Sequence, residues 1–118
     1  MDAMQRERLL AAGVQVDEAL ERFMGNEALM MRFLLRFPGD GNFSLLRQAM
    51  ARGDVSGAFE AAHALKGVTG NLALTELYRL TALAVEDLRA GNLAAAQDRM
   101  AALEAVYART AQALSDMG

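Results

Sequence analysis

His63 is the only histidine in a chain of 118 residues that has no cysteine. Lys66 follows it by three positions, Gly67 stands directly behind the lysine, and Gly70 comes one turn later. On a helix at about 100° per residue these four fall in one broad sector. Ala58, Ala61, Leu65, Val68 and Leu72 occupy the other side at three-then-four spacing, as an apolar stripe. The imidazole is therefore expected to point away from the core, with an ammonium one turn along and bare backbone beside it.

That arrangement suits one chemistry. A neutral imidazole nitrogen is a good nucleophile towards phosphorus. An ammonium nearby attracts the incoming phosphoryl oxygens. Two glycines inside a helix cost roughly 1 kcal/mol each against alanine, which suggests that a second surface must approach closely there. Phosphoryl transfer asks for in-line geometry and charge stabilisation more than for many protein groups. One imidazole and one ammonium then make half a site, and the metal and acceptor carboxylate would come from a partner.

Counting residues removes other chemistries. A zinc site would need two or three carboxylates to converge on His63, since no second histidine and no thiolate exist. A ferritin-like metal centre needs two Glu-x-x-His pairs, and a single histidine allows at most one, Glu60 with His63. Ser44, Ser56 and Ser115 lack the context of a nucleophile elbow. No Gly-rich phosphate loop is present, so no nucleotide site of the chain's own is expected. The net charge of −3 argues against a nucleic-acid surface. No stretch reaches the roughly 20 apolar residues of a membrane span, and the first residues lack a secretory profile. A soluble, cytoplasmic protein is expected, and the starting methionine favours a free-standing one.

The elements that must position the site are helices. Apolar residues make up 53% of the chain, with one proline and no tryptophan, and Ala, Leu, Met, Glu, Gln and Arg enter helices at low cost. A short opening helix over 2–12 has a weak apolar side in Met4, Leu9 and Leu10, and Gly13 ends it. Asp17 caps or opens a helix that Gly25 stops, and Asn26 caps the next. Leu29, Met30, Phe33, Leu34 and Phe37 form a wide apolar face that predicts deep burial. Pro38 to Gly41 is the clearest break. Phe43, Leu46 and Met50 are in phase over 43–51, and Asp54 caps the histidine helix. A helix over 75–90 shows Leu77, Thr81, Ala84, Val85 and Leu88. The last helix shows Leu93, Ala96, Met100, Leu103, Tyr107, Thr110 and Leu114. Glu86, Asp87 and Arg89 read as solvated charge, and Arg32 and Arg36 as surface that could form a docking rim. Tight Gly-centred turns force antiparallel neighbours. The expectation is one all-α domain over 1–118: an antiparallel up-down four-helix bundle with additional short N-terminal helices. Its long members are placed near 26–51, 54–72, 75–90 and 92–116.

Residues 62–74, AHALKGVTGNLAL, resemble the signature of histidine-containing phosphotransfer (HPt) domains: a histidine, two residues, then Lys-Gly, usually after alanine and within a four-helix bundle. The match is carried by Ala62, His63, Leu65, Lys66, Gly67, Gly70, Asn71 and Leu72. Looser similarity covers 16–37, VDEALERFMGNEALMMRFLLRF, and 54–67, DVSGAFEAAHALKG. The family often carries Gly-Ala after the Asn-Leu pair, where this chain has Ala73 and Leu74. The resemblance implies that His63 is phosphorylated on its solvent-facing nitrogen and that Lys66 steadies the phosphoryl group. Gly67, and more weakly Gly70, would admit the partner. It implies a phosphocarrier and not an enzyme, with no cofactor of its own and Mg²⁺ held by the partner. The partners would be response-regulator receiver domains or hybrid sensor kinases, met by a monomer. A helical adaptor that binds the same partners without being phosphorylated is the alternative; a general-base enzyme built on His63 lacks any visible nucleophile.

Overall fold

The computed structural model describes residues 1–118, and the chain folds into seven α-helices and one 3-10 turn. Side-chain caps start most of the helices. Asp2 and Gln5 form a reciprocal capping box ahead of α1, Ala3–Ala11. Asn26 accepts from the Leu29 amide at the start of α3, Glu27–Arg36. Asp54 accepts from the Gly57 amide at the start of α5, Val55–Asn71, and Asn92 does the same for Ala95 in α7, Leu93–Met117. Asn26 and Asp54 are the caps read from sequence. Asp17 differs: it lies inside α2, Val16–Arg22, whose N-cap Gln15 makes no side-chain bond. Asp17 pairs instead with Arg6 of α1 at 2.6 Å.

The 3-10 turn at Phe37–Gly39 separates α3 from α4, Asn42–Arg52. Expecting one long bundle member over 26–51 was therefore wrong. Pro38 has no amide proton to continue a helix, so α3 stays with the N-terminal helices and α4 alone opens the bundle. Gly53, at φ 69°, closes α4 in the left-handed conformation. Helices α4, α5, α6 (Thr75–Arg89) and α7 then pack in sequence order. The ring is closed by contacts between α4 and α7. Phe43 stacks on Tyr107 at 4.2 Å, Arg47 pairs with Glu104 at 2.8 Å, and Gln97 donates to the Met50 carbonyl at 3.2 Å. Successive residues of α4 meet earlier and earlier residues of α7, so the two run antiparallel.

At 25 residues, α7 is about 37 Å long, well beyond the reach of α4. Its surplus carries the N-terminal layer: α1 and α3 pack on it, and the buried Thr110 hydroxyl donates to the Ala12 carbonyl at 3.1 Å. No strand forms. The link after α1 makes a single antiparallel bridge, Val14 to Leu74, with the Gln15 amide donating to Ala73 at 2.9 Å. That bridge ties the N-terminal layer to the turn between α5 and α6.

One apolar core of 27 buried residues runs through both parts. All five positions read for α6 are buried, as are Phe43, Leu46 and Met50 of α4. Three readings fail. Phe33 is 43% exposed, although Met30, Leu34 and Phe37 of the same face are buried. Asp87 is not simply solvated: its carboxylate is mostly covered and pairs with Arg99 of α7. Met4 and Leu10 stay exposed, leaving Leu9 as the one buried side chain of α1.

Candidate functional site

Helix α5 lies between α4 and α6. Its inner face is Ala58, Ala61, Ala62, Leu65, Thr69 and Leu72, all buried. The alanines keep that face narrow, so both neighbours come close. The stripe read from sequence placed Val68 inside and left Thr69 out; the structure half-exposes Val68 and buries Thr69 completely. Thr69 tolerates burial because its hydroxyl donates to the Leu65 carbonyl at 2.9 Å and reaches that of Lys66 at 3.1 Å. The helix thus satisfies the group from its own backbone.

On the outer face His63 is exposed and Lys66 half-exposed. Neither side chain takes part in an intramolecular hydrogen bond or ion pair. Helical side chains lean towards the N-terminus over the preceding turn. Lys66 therefore leans over the turn that carries His63, and His63 over the turn that carries Phe59. The Phe59 and His63 rings lie 5.8 Å apart with 28° between their planes.

All four residues singled out by spacing, His63, Lys66, Gly67 and Gly70, line one open cleft of about 460 Å³. The two glycines differ in kind. A side-chain carbon added at Gly67 would meet nothing within 4 Å. One added at Gly70 would come within 3.3 Å of Tyr78 Cε2, so the Tyr78 ring already uses that space. Ala73 ends the stretch at φ 53°, the left-handed conformation, where the HPt signature often has glycine. The turn keeps its left-handed residue even though alanine occupies it.

Five lining residues were not singled out from sequence. Thr69 lies on α5, Thr75 and Tyr78 come from α6, and Glu18 and Arg22 come from α2 and pair at 3.5 Å, four residues apart. Nothing local in the sequence links α2 to α5. The Val14–Leu74 bridge places them together, and long-range pairing of single residues leaves no periodic trace. Beside the cleft runs a second groove, lined by Phe23, Phe33, Val68 and Leu72 and sharing Arg22 and Asn71 with the cleft. Phe23 and Phe33 are 5.6 Å apart, and the Arg36 guanidinium lies 5.9 Å from the Phe33 ring centre. The exposure of Phe33 thus continues the site as an apolar rim with a basic edge.

A family model described as Hpt domain matches residues 39–113, well over half of the chain. The chain belongs to the Hpt domain family. Hpt domains are phosphocarriers that take part in histidine phosphotransfer in two-component signalling, through receiver domains and kinases. No curated protein and no solved structure matches the chain. In this Hpt protein the matched stretch runs from the 3-10 turn into α7, so α1 to α3, with Glu18 and Arg22, lie outside it. No group of three or more His, Cys, Asp or Glu side chains is placed to hold a metal ion. No helix is long and apolar enough to cross a membrane.

Proposed function

We propose that His63 is the phosphoryl acceptor and donor of this Hpt domain, loaded from a receiver-domain aspartyl phosphate or a kinase and unloaded to a response-regulator receiver. The carrying observation is the exposed, unbonded imidazole that shares its cleft with Lys66 and borders the open backbone of Gly67. A lone pair on the solvent-facing ring nitrogen attacks phosphorus. The acyl-phosphate P–O bond breaks, the aspartate carboxylate leaves with the electron pair, and the phosphoimidazolium releases its other N–H proton to solvent. Lys66 draws the phosphoryl oxygens, while Arg22 at the cleft edge is already paired with Glu18. Mg²⁺ comes with the receiver. The groove of Phe23, Phe33, Val68 and Leu72 receives that partner's apolar surface, with Arg32 and Arg36 as its basic rim. The chain acts as a cytoplasmic monomer and needs no cofactor of its own.

The test is incubation with a phosphorylated receiver domain and Mg²⁺, wild type against His63→Gln. Acid-labile, alkali-stable phosphate is expected on the wild type alone. Equal labelling of both proteins ends the proposal. An His63→Ala variant that keeps full signalling output would show an adaptor instead of a carrier.

A further inference from the structure

We propose that Phe59 is a positioning residue for His63, holding the imidazole in one orientation. The inference rests on the phosphotransfer reading and adds to it the group that aims the ring. His63 has no hydrogen bond to fix its torsions, and on a helix its side chain has two open χ1 wells. Both wells lean it back over the preceding turn, and the stack on Phe59, four residues earlier, is made in one of them. Phe59 is half-buried and packs against the core, so its own ring is anchored. It lies 5.8 Å from the imidazole centre at an interplanar angle of 28°, within stacking range. The Arg89 guanidinium of α6 lies over the same Phe59 ring at 5.1 Å, and Glu86 holds that guanidinium at 3.5 Å. The phenyl ring is thus fixed from the bundle and from α6, and the exposed imidazole rests on it. No other aromatic ring stacks on His63.

Without the stack, the imidazole spreads over a second χ1 well, which dilutes the productive orientation about twofold. The experiment uses the whole chain and phosphoramidate as donor, so that partner docking does not enter. A ring-nitrogen lone pair attacks phosphorus, the P–N bond of the N-protonated donor breaks, and ammonia leaves with the electron pair. The phosphoimidazolium then gives its remaining N–H proton to solvent. Labelling is followed by phosphorus NMR. Ring orientation is followed by the proton resonance of the single imidazole, which the Phe59 ring current displaces.

Phe59→Leu keeps an apolar side chain and removes the aromatic face. It is expected to move the imidazole resonance and to slow labelling about twofold, with circular dichroism unchanged. Phe59→Tyr restores both values. An unmoved resonance or a wild-type labelling rate in Phe59→Leu overturns the inference. A wild type that takes no phosphate removes the phosphotransfer reading instead, and the resonance still decides whether Phe59 orients the ring. Should Phe59→Leu lose its fold, Arg89→Gln loosens Phe59 from the exposed side, and an unmoved resonance there overturns the inference equally.

Discussion

A methyl group added at Gly67 meets open space, whereas one added at Gly70 presses on the edge of Tyr78 at 3.3 Å. Glycine inside a helix costs about 1 kcal/mol against alanine. Gly67→Ala should therefore raise stability by about 1 kcal/mol in urea unfolding. Gly70→Ala should gain less, because the Tyr78 ring has to yield by a few tenths of an ångström. An equal gain at both positions would show that Tyr78 does not constrain Gly70. The same Gly67→Ala protein should accept phosphate from a receiver more slowly than the wild type while phosphoramidate labels both alike. Parallel slowing with both donors would mean that Gly67 serves the imidazole and not the approaching partner. At this scale the sequence was legible for position and less so for cause. Spacing placed all four residues on one surface, but only coordinates separate a glycine that faces solvent from one that seats a neighbouring ring.

Within α5, the candidate site and the buried face lie on opposite sides, and single substitutions should separate them. Leu65 is fully buried between α4 and α6, so Leu65→Ala should cost about 2–5 kcal/mol. A loss below about half a kcal/mol would mean that the inner face can collapse around the gap. Lys66 has no intramolecular partner to lose, so Lys66→Ala should slow phosphoryl transfer and leave helical circular dichroism unchanged. A large drop in helicity would contradict the face assignment. Helices with wide, regular stripes and polar caps were readable in advance: α6 buries each position its spacing suggested, and Asn26 and Asp54 make their cap bonds. The failures have physical reasons. Thr69 looks polar by residue type, yet its hydroxyl is satisfied by the helix carbonyl one turn back. Phe33 looks like core by residue type, yet it lines the groove beside the candidate site. Periodicity reports which face is apolar, and it cannot say whether another part of the same chain or a partner will cover it.

The N-terminal layer and the bundle meet along α7, and Tyr107 sits at that joint. Its ring stacks on Phe43 of α4 at 4.2 Å and takes Phe37 of the 3-10 turn edge-on at 5.7 Å. Sequence spacing put Tyr107 on the inner stripe of the last helix; its partners, 64 and 70 positions earlier, left no mark that could be read in advance. Burial raises the Tyr107 phenol above its ordinary value of 10.0, the Asp40 carboxylate adds to the rise, and Arg47 offsets part of it. The sign follows from linkage. The folded chain favours the neutral phenol, so this contribution to stability is complete below the ordinary phenol value. It is lost as pH climbs through the raised value of the folded state. Tyr107→Phe keeps the aromatic stack and removes the ionising group. The variant should therefore lose less stability than the wild type as pH rises above about 10, read as urea midpoints at stepped alkaline pH. In parallel, the wild type should show a late tyrosinate absorbance step that the variant lacks. Identical alkaline decline in the two proteins would mean that the phenol titrates as freely in the joint as in the unfolded chain, and that the contact between layer and bundle does not bury it in solution.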